Sequence, residues 1–229
     1  MPEKVGLKKD KNGFLRRSNG VMWWQLDGVQ AASKYFLLCA FVSFFGWLFE
    51  TVSFAILWIK DDRGFLTLPF CFLYGSSVLA VYFLLGTPLG GKGSKVFACR
   101  SGKKSRIKIF FTALLRLVFY FVAVAALATL FELVTGIVFV RWLDIPLWSY
   151  GNFDHTYLDI VCLDFSLLWG ALITIGMGTL WPFFVWLEKK IPPKARVVSA
   201  IALAVLLSCD FIFNCVYFAR TGFHFQLFY

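Results

Sequence analysis

Glu50, Glu132, Asp164, Asp210 and Arg116 are charged residues set inside long apolar runs. A charge at the centre of a bilayer costs about 2.5–3.5 kcal/mol on insertion scales, so such residues face a partner, a cavity or a path rather than lipid. Glu50 and Glu132 have matching surroundings. Ser43, Gly46, Glu50 and Ser53 recur at helical spacing, as do Ala125, Thr129, Glu132 and Gly136; each acid therefore shares a helix face with small residues. Such rows let helices pack closely in lipid. Two chemistries fit the pair. The acids could line an externally open cavity for a cation, a proton or a cationic substrate. They could instead be neutral, or held by Arg63, Arg141 or the hydroxyls and indoles of Tyr74, Trp148, Tyr150 and Trp169. Asp164 falls close to the interface, and Asp210 has Asn214 one turn away as a local partner. Arg116 lies near enough to the cytoplasmic face for its side chain to snorkel.

Catalytic signatures are not found. There is no H-E-x-x-H, nucleophile elbow or C-x-x-C pair, and His155 and His224 stand apart, so the chain is expected to be no enzyme and to hold no metal or cofactor. Of the six cysteines, Cys39, Cys71, Cys162, Cys209 and Cys215 lie in or at the edge of apolar runs and read as small hydrophobes, while Cys99 falls in a basic connection. Gly86 to Gly93 nearly spells a phosphate-binding loop, but Gly93 stands where a Ser or Thr must bind magnesium, and an apolar run precedes it where a strand is needed. The chain has no ATPase of its own by this reading.

The elements that position these residues follow from composition. Of 229 residues, 59% are hydrophobic and 16% charged, too apolar for a soluble domain. Five runs are long enough to cross a hydrocarbon core as helices, which takes about 20 residues. They cover residues 35–59, 69–89, 109–140, 160–187 and 197–218. The expected fold is an all-α integral membrane protein. A basic N-terminal segment with an interfacial stretch, 1–34, precedes the membrane domain, 35–218, and a short tail, 219–229, follows it. Most of the 23 basic residues fall in the N-terminal segment (Lys4 to Lys34), in the second connection (Lys92 to Lys108) and in the fourth (Lys189 to Arg196). The positive-inside rule then puts the N-terminus in the cytoplasm and the C-terminus outside. The basic clusters lie between apolar runs, so their partner is the lipid surface, not nucleic acid. No short apolar region with a cleavage site follows the N-terminal charges, as a signal peptide would require.

An internal repeat is also expected. Leu48-Phe49-Glu50 is matched by Leu130-Phe131-Glu132, and the run from Phe70 to Gly75 by the run from Phe165 to Gly170. Each copy is a pair of spans, so the repeat is parallel, with the fifth span added. Cys71 with Gly75, and Ser166 with Gly170, form the small-residue rows of the returning helices. Gly46, Gly75, Gly136, Ser166 and Gly170 are thus the expected close-packing positions.

Gly46-Trp-Leu-Phe-Glu-Thr-Val52, Arg63-Gly-Phe-Leu66, Pro69-Phe-Cys-Phe-Leu-Tyr-Gly75, Phe131-Glu-Leu-Val-Thr-Gly136, Trp148-Ser-Tyr150 and Cys162 to Gly170 resemble, in order, the motifs of a bacterial family. The family is the ABC-transporter type IV, or CmpB-like, membrane proteins. The chain departs from the pattern at Leu68, Phe72 and Asp164. The resemblance implies a permease subunit of the bacterial inner membrane working with a separate ATP-hydrolysing protein, and it falls on Glu50, Arg63, Tyr74, Gly75, Glu132, Trp148, Tyr150, Ser166, Trp169 and Gly170. The expected function is therefore a transport component with Glu50, Glu132, Asp164, Tyr74, Trp169, Arg63, Trp148 and Tyr150 along its path. The alternative is a structural or regulatory membrane scaffold without transport. Five spans enclose little volume, so a transporter of this size is expected to form a homo-oligomer.

Overall fold

The computed structural model describes residues 7–9, 15–17, 22–57, 65–88, 106–145, 148–222 and 225. Six α-helices make up most of it: α1 (Asp27–Leu57), α2 (Phe72–Leu84), α3 (Arg106–Gly136), α4 (Leu163–Gly178), α5 (Leu180–Lys189) and α6 (Pro193–Thr221). Two antiparallel ribbons complete it, β1 (Leu7–Lys9) with β2 (Leu15–Arg17) and β3 (Thr156–Tyr157) with β4 (Val161–Cys162). Many large apolar side chains, such as Phe49, Phe119, Ile175 and Val205, point outward, as suits helices whose surroundings are lipid.

Among the described residues, three helical stretches are long and apolar enough to cross a membrane: Asp27–Ser53, Phe110–Trp142 and Pro193–Thr221. The second includes a π-helical turn, Ile137–Trp142, that extends α3 past Gly136. α4 and α5 make a fourth if taken together, but they are bent by 44° at Thr179. The bend has a local cause. Pro182 offers no N–H to the Gly178 carbonyl and its ring crowds that oxygen. The sequence treated 160–187 as one run, although Pro182 was the signal for the break.

The run at 69–89 behaves differently from expectation. Its helix, α2, has 13 residues, about 20 Å at 1.5 Å per residue, against a core about 30 Å thick. The segment 65–71 ahead of it is not helical. Pro69 lacks an N–H and bars Leu68 from helical backbone, so no helix runs through this point. The Cys71 N–H instead donates to the Ser43 carbonyl of α1 at 3.1 Å.

Leu38, Val81, Tyr120, Val124, Met177, Trp181 and Phe184 form the buried core, drawn from α1 to α5. The Tyr120 hydroxyl also donates to the Gly86 carbonyl, 2.8 Å, closing the end of α2 against α3. α6 packs on α1, and the N-terminal ends of the two are tied together. Gln30 Nε2 donates to the Pro193 carbonyl at 3.0 Å, and Arg196 Nη1 donates to Gln30 Oε1 at 2.9 Å. Arg196 also forms an ion pair with Glu188, which is almost fully buried on α5. α1 and α6 therefore run in the same direction.

Candidate functional site

Both acids lie at the contact between a helix and the helix that returns beside it. In the α1–α2 pair, Gly46 lets the Tyr74 ring lie flat on α1. A Cβ on Gly46 would stand 2.5–2.8 Å from Tyr74 Cδ2, Cγ and Cβ. Side chains on a helix lean toward its N-terminus, so the Tyr74 phenol points toward the C-terminal end of α1 and donates to Glu50 Oε2 at 3.2 Å. One residue on, Gly75 meets Ser43 Oγ and the Cys39 carbonyl so closely that no Cβ fits.

In the α3–α4 pair, Gly170 meets Ala125 and Phe121, and a Cβ there would lie 2.7 Å from Ala125 Cβ. The tyrosine comes from elsewhere. Tyr150, in the connection between α3 and α4, donates to Glu132 Oε1 at 2.7 Å. The Trp169 indole hydrogen-bonds the Tyr150 hydroxyl. Burial, and after it the Glu132 carboxyl, pushes the Tyr150 phenol above its ordinary range, so it remains an O–H donor. Trp169 also packs against Tyr74, with ring centroids 5.3 Å apart. Glu50, Tyr74, Trp169, Tyr150 and Glu132 thus form one connected cluster.

The connection within each helix pair is fastened in its own way. The segment 65–71 is held by α6: the Leu68 N–H donates to Asp210 Oδ2 at 3.1 Å, and Asn214 Nδ2 donates to Thr67 Oγ1 at 2.9 Å. Non-helical backbone within a membrane domain needs protein partners for its polar groups; Asp210 supplies one for the Leu68 N–H, while Asn214 holds the Thr67 hydroxyl. The second connection fastens itself through the β3–β4 ribbon. Trp148 Nε1 donates to the Ile160 carbonyl at 2.9 Å, the Tyr150 N–H to the Asp159 carbonyl at 2.8 Å, and Arg141 Nη2 to the Leu158 carbonyl at 3.1 Å. Ile160 is buried against Gly136, which has no room for a Cβ.

The candidate residues thus divide. Glu50, Tyr74, Trp169, Tyr150 and Glu132 come together. Trp148 and Arg141 hold the β3–β4 connection and do not reach a carboxylate. Asp164 is exposed in the first turn of α4, and Arg63 lies outside the described residues. Ser166 is buried on α4 together with Gly170. Sequence reasoning missed the bond from Leu68 to Asp210 and the Arg196–Glu188 pair. A carboxylate near the end of an apolar run, eight residues before an arginine, was the available signal for the latter.

The sequence model of a protein family described as "Putative ABC-transporter type IV" matches residues 36–215, from the first turns of α1 to the last turns of α6. No curated protein and no solved structure matches the chain.

Proposed function

From the premise that the chain belongs to this family of membrane proteins, we propose that it is a transport subunit without an ATPase of its own. In this reading it serves no enzymatic role itself and works with a separate ATP-hydrolysing protein. It crosses the bacterial inner membrane five times, α2 with segment 65–71 counting as one crossing, with the N-terminus in the cytoplasm and the C-terminus outside. The basic clusters support that orientation. Discontinuous helices that begin inside the membrane, as α2 does, are the common material of transporter sites.

The observation that carries the reading is the shared packing register of the two helix pairs. Gly75 contacts the residue seven before Glu50, and Gly170 contacts the residue seven before Glu132. Counting from those glycines, Tyr74 and Trp169 are counterparts, and they touch each other. Counterparts meet at a symmetry axis. We read the fold as a parallel duplication of a two-helix unit with α6 added, and the cluster as lying on the axis between the copies. Glu50 and Glu132 then flank a path that opens when the two pairs part.

A second reading makes the same acids a clasp in a scaffold protein, favoured by the tyrosine already bonded to each carboxylate. Purification of the tagged protein from native membranes in mild detergent separates the two. The transport reading expects a stoichiometric partner that carries a complete phosphate-binding loop and hydrolyses ATP. Recovery of the chain alone, or with unrelated envelope proteins, would overturn it.

A further inference from the structure

Glu132 differs from Glu50 in one respect that points to its ligand. It is 7% exposed, its Oε1 accepts the Tyr150 hydroxyl, and its Oε2 makes no hydrogen bond. The hydrogen bonds around it have a fixed direction. An indole N–H can donate and cannot accept, so Trp169 gives its hydrogen to the Tyr150 oxygen. Tyr150 must then aim its own hydrogen at Glu132. Oε1 is therefore an acceptor, and the oxygen left to carry a proton is Oε2.

The neighbours disfavour larger cations. A metal ion such as calcium gathers six to eight oxygen ligands, whereas the group that bonds this carboxyl is the Tyr150 O–H donor. Among the described residues no three metal-type side chains come together. The titratable groups on the surrounding elements are Tyr150 on the connection, Tyr74 on α2, Glu50 on α1, Cys162 on β4 and Asp164 at the start of α4. Arg141, beyond the end of α3, is committed to the Leu158 carbonyl. A carboxylate with a bare oxygen inside the bundle would carry the cost of an unpaired charge. A proton on Oε2 removes that charge and needs no added space.

We propose that Glu132 is a proton-carrying carboxyl, holding a proton on Oε2 and exchanging it in the transport cycle. The exchange rests on the transport reading; the held proton does not. In the exchange the Oε2–H bond breaks, its electron pair stays on the carboxylate, and the proton passes to water. Tyr150 stays bonded to Oε1 and positions the carboxyl through both states.

The test uses dicyclohexylcarbodiimide on the full chain in native membranes, read by peptide mass spectrometry. The reagent's nitrogen takes the acid proton and its carbon takes the carboxylate oxygen, so modification of a buried site reports a protonated carboxyl. Glu132 should be modified, with a yield that falls as pH rises and is unchanged by sodium, potassium or tetramethylammonium. Protection by any of those cations would overturn the proposal in favour of a cation site. If Glu132 is not modified, infrared difference spectra of wild type against Glu132→Gln decide: a protonated-carboxyl stretch lost in the variant supports the proposal, and no such band overturns it. Tyr150→Phe should shift the pH at which the signal is lost, which a merely structural tyrosine would not do. A protonated-carboxyl signal at Glu132 in wild type, together with unchanged activity of Glu132→Gln, would sink the transport reading and leave the proton assignment standing.

Discussion

In the α1–α2 pair the tyrosine that meets the acid sits on the returning helix, and a separate helix, α6, fastens the connection. In the α3–α4 pair the tyrosine arrives from the connection, which fastens itself with a ribbon. The difference traces to equivalent places in the two helix pairs. Pro69 bars Leu68 from helical backbone, and the Cys71 N–H donates to the Ser43 carbonyl. Asp164, at the place corresponding to Pro69, instead stands in the first turn of α4 with an acid at the positive helix end. α4 therefore starts about one turn earlier, relative to its glycine, than α2 does. The shorter helix leaves the peptide groups of 65–71 outside any helix; Asp210 takes up the Leu68 N–H, and Asn214 holds the neighbouring Thr67 hydroxyl. The longer connection has chain to spare and buries Glu132 under Tyr150, whereas Glu50, in the other pair, is half-buried. One packing register thus accepts two seals, and the seal decides how deeply each acid is enclosed.

Substitutions can break this comparison side by side. The largest effect is expected at the glycine contacts. Gly75→Ala drives a Cβ against the Cys39 carbonyl, a backbone atom that cannot swing aside, and should cost on the order of 3 kcal/mol in detergent stability. Gly170→Ala, facing the Ala125 methyl group, should cost less. Gly176→Ala meets nothing within 4 Å and serves as the control. Equal losses at all three would refute the register.

Next comes the fastening by α6. Asp210→Ala strands the Leu68 N–H and should cost about 1–3 kcal/mol. Reactivity of Cys71 toward a membrane-permeant maleimide should rise, while that of Cys162 should not change. A matching rise at Cys162 would mean that the two connections are not fastened independently.

The tyrosines give a smaller contrast. Tyr150→Phe removes the hydrogen bond of a buried carboxyl and should cost about 1–3 kcal/mol, whereas Tyr74→Phe, beside a half-buried one, should cost about 0.5–1.5 kcal/mol. Thermal melts of the two variants in one detergent compare them, and the reverse order would contradict the burial difference.

The smallest effect sharpens the picture of the ribbon. Leu158 has φ 57° and Asp159 φ 58°, a left-handed backbone that costs a side-chain-bearing residue about 1–2 kcal/mol. Leu158→Gly relieves this at a loss of about 0.5–1 kcal/mol in chain entropy, for a net gain near ~0.5 kcal/mol. A lower melting temperature would show that the leucine side chain holds the turn by contacts.

Much of the fold was readable because lipid imposes simple demands. Long apolar runs become helices, and Glu50 and Glu132 stand out because charges are rare there. Gly75 and Gly170 were readable as close-packing positions from their rows of small residues. Helix length was less so: hydropathy counts Phe70 and Cys71 as span, while their N–H groups donate to the Leu68 and Ser43 carbonyls and the two residues stay out of α2. The pairing of side chains was least legible. Tyr74, Trp148, Tyr150 and Trp169 were equivalent candidates in the sequence, and tertiary packing alone sends Tyr74 to Glu50, Tyr150 to Glu132 and Trp148 to the Ile160 carbonyl. Asp210 showed its local partner Asn214 at helical spacing, but its bond to Leu68 joins residues far apart in the chain.

The central claim is that the two acids act in transport and do not merely clasp the bundle. The most direct measurement is ATP hydrolysis by the complex copurified from native membranes, wild type against Glu50→Gln/Glu132→Gln. The account predicts that the variant assembles and melts like wild type while its ATPase rate falls at least about tenfold, a loss of about 1.4 kcal/mol. An unchanged rate in a complex that assembles normally would contradict it.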